Sequence, residues 1–358
     1  MRKNTAQLSF LRDARLPRQP PSTRYQGSKL KLLNWIWENI GSLDFHTALD
    51  LFGGTASVSY LFKMHGKAVA YNDYLRFNHL IGTALIENRN TALSPEDVAF
   101  LLRADPNRRY DDFIARTFSD IYFTDDENAW LDVVCQNIPL LSGKYKQALA
   151  YHSLFQSCIV KRPYNLFHRK NLYIRLASVD RSFGNKATWD TAFERHFRNF
   201  AAEANGAVFD SRVPCKAVCH DAMEVAGRFD LVYLDPPYVQ RRGATVDYRD
   251  FYHFLEGVPD YRNWQKRIDF SRKHLSLKPL RSAWSDPKRI AKAFRDCIER
   301  YSGSILVVSY GNRGIPSAEE LMRMLRRVKS HVSVVEQPNY KYVLSIDKTS
   351  KELLFIAS

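Results

Sequence analysis

Acidic residues are scarce. The chain carries 38 Asp plus Glu against 53 Lys plus Arg in 358 residues, a formal net charge of +15. That imbalance bears on partners and not on fold: nucleic acid, an acidic membrane surface and an acidic protein all suit it. No apolar run approaches the roughly 18 residues of a membrane helix, and the charged N-terminus lacks the apolar stretch of a secretory signal. A cytoplasmic protein is expected. Cysteine is rare, five in all, and only Cys215 and Cys219 lie close together. No second Cys or His pair has zinc-site spacing, so the five read as free thiols in a reducing compartment, and no metal is expected. Glycine and proline, 15 each, exclude collagen-like and low-complexity chains. G-x-G-x-x-G is missing, which speaks against a nicotinamide cofactor. What is present is ordinary globular stock, 45% hydrophobic and 25% charged, in a length suited to about two domains.

Residues 1–23 hold Arg2, Lys3, Arg12, Arg15 and Arg18 against Asp13 alone, with prolines at 17, 20 and 21, and read as a basic arm. Helical spacing runs over 28–40, with Leu32, Trp35 and Ile36 on one face. The apolar run 46–52 reads as a buried strand, ending at Gly53-Gly54 before a helix at 57–66 and a second strand at 67–72. Strand, glycine turn, helix, strand is a βαβ unit, the beginning of a parallel sheet. Alternation stops near 90 and resumes near 207, with strands expected at 207–209, 216–219, 229–235, 305–310, 332–336, 342–346 and 352–357, the last antiparallel. Ser317 with Glu320 is a capping box opening a helix at 318–330. The expected fold is α/β: a doubly wound, mostly parallel sheet with a mainly helical insertion. Residues 161–186 in that insertion carry seven bases against one acid, interleaved with Tyr164, Phe167, Tyr173 and Phe183, and 262–300 carry twelve bases against four acids.

Two motifs carry chemistry. Asp50-Leu51-Phe52-Gly53-Gly54-Thr55-Ala56-Ser57 puts a glycine turn at the carboxyl edge of the sheet, where backbone can approach a ligand closely. Asp73 follows the next strand, 19 residues after Gly54, where a carboxylate can accept from ribose hydroxyls. Alone this pair is also what a tight turn and a solvated loop would look like. Asp235-Pro236-Pro237-Tyr238, directly after LVYL, is far more specific. Its prolines fix the backbone at a strand end. They hold a carboxylate and a carbonyl that can accept from an exocyclic NH₂, beside an aromatic face on which a base can stack.

These motifs together resemble the amino-methyltransferases that use S-adenosyl-L-methionine. The 183 residues from Phe52 to Asp235 narrow the likeness to the Dam-like, alpha-group DNA adenine N6-methyltransferases, whose target-recognition domain lies between the two motifs. Arg24-Tyr25-Gln26-Gly27-Ser28-Lys29 looks like that family's opening R-Y-x-G-[SG]-K. Asn72-Asp73, Asp221, Ser309-Tyr310 and Arg181-Ser182-Phe183-Gly184-Asn185-Lys186 match further segments. Ala56 departs from the pattern, standing where many members have glycine.

The resemblance implies a class I methyltransferase fold, with a catalytic domain over 24–90 and 207–358 and a target-recognition domain over 91–206. It implies that Phe52, Gly53, Gly54 and Thr55 line the cofactor, that Asp73 takes its ribose and Asp221 its adenine amino group, and that Tyr25 and Lys29 close over its methionine end. A flipped-out adenine of double-stranded DNA would stack on Tyr238, its amino group held by Asp235 and the Pro236 carbonyl, with Pro237 stiffening the turn. Arg169, Lys170, Asn171, Arg175, Arg181, Asn185 and Lys186 are the candidates for DNA contact. Tyr248 and Tyr252 could cover the flipped base or pack in the core, and His253 reads as structural. A nucleoid-associated monomer is expected, since an asymmetric mark needs no dimer, with a cognate restriction endonuclease as a possible partner. An RNA or protein amino-methyltransferase and a non-catalytic DNA-binding protein are the competing readings.

Overall fold

The computed structural model describes residues 19–178, 186–239, 247–337 and 351–358. Among them, seven strands form one sheet: β1 (Thr47–Asp50), β2 (Ala68–Asn72), β3 (Lys216–Val218), β4 (Leu231–Leu234), β5 (Ile305–Gly311), β6 (Val332–Gln337) and β7 (Glu352–Ala357). Their order is β3-β2-β1-β4-β5-β7-β6. All pairings are parallel except those of β7, which is antiparallel to both β5 and β6.

The apolar runs become strands because both faces of the sheet are covered. Successive residues alternate between two cores. Ala48, Val69, Tyr233, Val307 and Leu354 face one, and Leu49, Ala70, Val232, Leu306 and Phe355 face the other. The second core is closed by the helices Ile290–Arg300 and Ala318–Arg326. The first takes in the helix Ser57–Met64 and the apolar side of the insertion, including Leu131, Leu149 and Phe197. The insertion thus shares a core with the sheet. Its central helix, Lys144–Val160, is buried from Ala148 to its end and packs between the helices Arg76–Gly82 and Phe193–Ala207.

Two expectations are corrected. Residues 207–209 are not a strand, because the buried i, i+3 stripe Ala201, Ala204, Ala207 carries the preceding helix to Ala207. The stretch 28–40 is two pieces, a 3-10 turn at Lys29–Leu32 and an α-helix at Leu33–Ile40. The expected strand at 342–346 and most of the N-terminal arm lie outside the described residues. No described helix is long and apolar enough to cross a membrane.

From β1 the sheet grows toward β2 on one side and β4 on the other, a topological switch point where ligand crevices form at the carboxyl ends. Asp50 pairs in register with Tyr71 and with Tyr233, which brings the residues after β1, β2 and β4 to one edge.

Candidate active site

A cavity of about 740 Å³ opens at that edge, a size suited to a cofactor-sized ligand. Phe52, Gly53, Gly54 and Thr55 line it from β1, Asp73 from β2 and Asp235 to Tyr238 from β4. The opening segment Tyr25 to Lys29 and Asp221 also reach it.

The glycine turn is locked from below. A side chain on Gly53 would strike the Tyr71 ring at 2.1 Å, and Gly54 sits at φ +49°. The Gly53 N–H donates to the Asn72 carbonyl at 2.8 Å and the Gly54 N–H to Asp73 Oδ2 at 2.9 Å. Asp73 also accepts from Asn78 Nδ2 and, on Oδ1, from the Leu75 N–H. Three of the roughly four acceptor positions of a carboxylate are thus used. Burial lifts its pKa to about 6 against the pull of those donors. Asn72 laces neighbouring loops together, its amide donating to the carbonyls of Leu51 and His220. Asp221 is exposed at the rim and accepts from the Met223 N–H.

The opening segment is fastened to the same edge. Ser28 Oγ lies 3.2 Å from Thr55 Oγ1 and 3.3 Å from Ser57 Oγ. Tyr25 stacks on Tyr252 at 4.3 Å and on Tyr248 at 5.5 Å between ring centroids. Tyr252 is buried, its hydroxyl accepting from the Gln26 N–H, whereas Tyr248 lines the cavity. His253 is buried against the Tyr122 hydroxyl at 2.8 Å.

Lys29, expected over the methionine end of the cofactor, is directed to D-P-P-Y. Its ammonium reaches Asp235 at 2.8 Å to each oxygen and the Tyr238 hydroxyl at 3.1 Å. Burial raises the Asp235 carboxyl to about 6; Lys29 pulls it down and the neighbouring Glu352 carboxylate pushes it up. Asp50, missed as a site residue although it opens the first motif, is fully buried beside this group. It accepts from the Ser59 N–H and hydroxyl, and burial lifts it to about 7.

Sequence reasoning also missed Trp284. It lines the cavity, meets Phe52 edge-on at 4.7 Å and has a buried indole N–H with no hydrogen-bond partner among the described residues. Buried donors are normally satisfied, so that N–H suits a bound acceptor. Tyr164 and Asn165 enter the lining from the insertion, both at positive φ (61° and 58°), with Tyr164 exposed. The chain signal for them was present, an aromatic inside a basic run, but nothing local said which aromatic would face the cavity.

The candidate DNA contacts divide. Arg169, Lys170 and Lys186 are exposed, Lys170 3.6 Å from Asp120 and Lys186 paired with Asp190. Arg175 is buried and grips Glu127 with two hydrogen bonds of 2.8 Å, and Asn171 is buried at φ +50° before the helix Leu172–Leu176. As placed, neither faces solvent. Arg181 and Asn185 lie outside the described residues.

Residues 25–284 match the family of D12 class N6 adenine-specific DNA methyltransferases. Among known proteins, the chain is 31% identical to the type II methyltransferase M2.HphI of Haemophilus parahaemolyticus, across 94% of this chain and 97% of that protein. It is 27% identical to the modification methylase StsI of Streptococcus sanguinis, across 93% of this chain but about half (51%) of that protein. It is 23% identical to the type II methyltransferase M.NlaIII of Neisseria lactamica, across 85% of this chain and 87% of that protein. With a mostly parallel sheet that presents D-P-P-Y and the glycine turn to one cavity, and a family match over most of its length, the chain belongs to the D12 class N6 adenine-specific DNA methyltransferases.

Proposed function

We propose that this enzyme takes its methyl group from S-adenosyl-L-methionine and delivers it to an adenine rotated out of a specific double-stranded DNA sequence, as the modification half of a restriction-modification pair. One observation carries the reading: Asp235 and Tyr238 stand at the end of β4 in the cavity that the glycine turn, Asp73 and Asp221 also line. The cofactor would lie across Phe52 to Thr55, with the fourth acceptor position of Asp73 for a ribose hydroxyl and Asp221 for its adenine amino group. When bound, it supplies a methyl group on a positively charged sulfur.

The residues of this chain do the rest. A base inside a duplex is out of reach, and extruding it costs a few kcal/mol. Tyr238 offers a ring for it. Asp235 and the Pro236 carbonyl accept from its amino group, whose lone pair is delocalised into the ring. Two acceptors favour a pyramidal nitrogen, and a fixed position supplies the entropic part of the acceleration. A carboxylate, even one raised by burial, is too weak a base to deprotonate the amino group before attack, so proton loss accompanies or follows transfer. Residues 91–206 serve as the target-recognition region, with Arg169, Lys170 and Lys186 toward the DNA. The names of the relatives, modification methylase and type II methyltransferase, support a cognate endonuclease as partner.

The test is transfer of label from the cofactor to DNA lacking N6-methyladenine, followed by nucleoside analysis. Label is expected in N6-methyladenine for the native protein and absent for Asp235→Ala, which keeps cofactor binding by calorimetry. Label in RNA or protein, or full activity in Asp235→Ala, would overturn the reading.

A further inference from the structure

Glu352 belongs to no motif, yet it is the first residue of β7 and its side chain is completely buried at the active site. The next three residues, Leu353, Leu354 and Phe355, are apolar and pack in the two cores, so the strand itself gives no reason for a carboxylate. An ionised carboxylate survives burial only when it is paired and hydrogen-bonded. Here its Oε1 accepts from the Tyr238 hydroxyl at 2.8 Å and from the Ser309 hydroxyl, and lies 3.5 Å from Lys29 Nζ. The same ammonium is 2.8 Å from both oxygens of Asp235. One cation is therefore shared between two carboxylates, with Tyr238 between them. Its hydroxyl has a single proton to give and is nearer to Glu352 than to Asp235, at 2.8 Å against 3.1 Å.

This arrangement poses a problem for the proposed chemistry, on which the inference rests. The oxygens of Asp235 that would accept from the target amino group are already held by Lys29. We propose that Glu352 is a positioning residue that acts as the second counter-ion of Lys29: as the base enters, Lys29 passes its hydrogen bond from Asp235 to Glu352, freeing Asp235 to accept from the amino group. The exchange swaps hydrogen-bond partners and makes or breaks no covalent bond. Tyr238 stays anchored throughout because its shorter bond is to Glu352.

The charged and titratable groups that face Asp235 are Lys29 from the opening turn, Glu352 from β7, Tyr238 from its own loop, Asp50 from the end of β1 and Tyr233 from β4. Removing the charge of Glu352 leaves Lys29 wholly on Asp235. That has two consequences of different kind: the acceptor is harder to free, and its carboxyl stays ionised to lower pH.

The experiment is single-turnover methyl transfer to unmethylated DNA by the full chain, as a function of pH. Glu352→Gln keeps the acceptor for Tyr238 and Ser309 while removing the charge. It is expected to slow transfer by roughly tenfold or more, to leave cofactor affinity within about twofold, and to move the acid limb down by about one pH unit. Combined with Lys29→Gln it is expected to cost nothing beyond Lys29→Gln alone, since the ammonium to be moved is gone. A native rate, an unmoved acid limb, or losses that multiply in the double variant would each overturn the proposal. If Glu352→Gln does not fold, Glu352→Asp retains the charge at a greater distance: a slowed rate with an unmoved limb supports the exchange, and a native rate overturns it. Asp235→Asn run in parallel separates the two readings. Full activity there overturns the role of Asp235 itself, whereas an inactive Asp235→Asn beside a native-like Glu352→Gln overturns only the exchange.

Discussion

Ala56 shows how a single residue can depart from a pattern at little cost. It is buried, adopts φ +62° and precedes the helix Ser57–Met64, a left-handed position that glycine fills without strain. Alanine there costs about 1–2 kcal/mol. Ala56→Gly would recover that strain but lose a buried methyl, about 0.8 kcal/mol, and gain chain entropy in the unfolded state worth about 0.4–1 kcal/mol. The terms nearly cancel, so denaturant unfolding of Ala56→Gly is expected to differ from native by less than about 1 kcal/mol; a larger loss would show that the methyl packs more tightly than its burial implies. Tyr238 separates two roles in the same way. In the proposed reading its ring takes the base, while its hydroxyl is tied to Glu352 and lies in reach of Lys29 and Asp235. Tyr238→Phe should slow transfer measurably, and Tyr238→Ala by roughly a further tenfold; equal losses would remove the stacking role. The motif placed Tyr238 correctly at the strand end. It could not show the ion pair behind it, because Lys29 is 206 residues from Asp235 and their meeting depends on the folded sheet.

Among elements, local signals held wherever the chain alone determines the outcome. The capping box at Ser317 and Glu320 starts the helix Ala318–Arg326, and Gly66 closes the helix Ser57–Met64 at φ +69°. They failed where tertiary contact reassigns a residue. Arg175 reads as basic and DNA-facing in sequence, but Glu127, 48 residues earlier, claims it. Glu127 holds the cap of the helix Asp125–Asn137, Arg175 by two hydrogen bonds, and Lys161 at 2.6 Å. Burial pushes its pKa up, but Arg175 and Lys161 outweigh that and hold it below the usual carboxylate range. A group whose folded pKa is depressed contributes stability above its unfolded pKa, about 4.3, and loses it as pH falls through the folded value. Glu127→Gln leaves two buried cations uncompensated and should cost about 3 kcal/mol at pH 7. Urea unfolding at pH 7 and again near pH 3 checks this: the gap between native and variant should shrink in acid, and a gap that persists would assign the loss to packing instead of charge.

Over the whole molecule, the mostly parallel sheet and the meeting of the two motifs at its carboxyl edge were legible, because the apolar runs mark buried strands and the glycine turn and D-P-P-Y each follow one of them. The intimacy of the insertion was not. Its helices share a core with the sheet, and the mainly apolar face that achieves this is spread over several helices with no motif of its own. The same contrast sets the last expectation. The net charge of +15 predicts DNA affinity that falls steeply with salt, by a slope of about 0.9 for each phosphate neutralised. Which bases contribute depends on where the fold leaves them. Lys170 is exposed, and its contact with Asp120 is long and solvated, so it can be surrendered to a phosphate at little cost. Arg175 cannot be surrendered without opening the buried group around Glu127. Lys170→Ala and Arg169→Ala are therefore each expected to flatten the log–log salt dependence by about one unit with unchanged thermal unfolding. Arg175→Ala is expected to lower the unfolding temperature and leave the slope as it is. Fluorescence anisotropy on a labelled duplex across a salt series reads both. An unchanged slope in the first two variants would move the DNA away from this face of the insertion, toward the exposed lysines and arginines of 262–300.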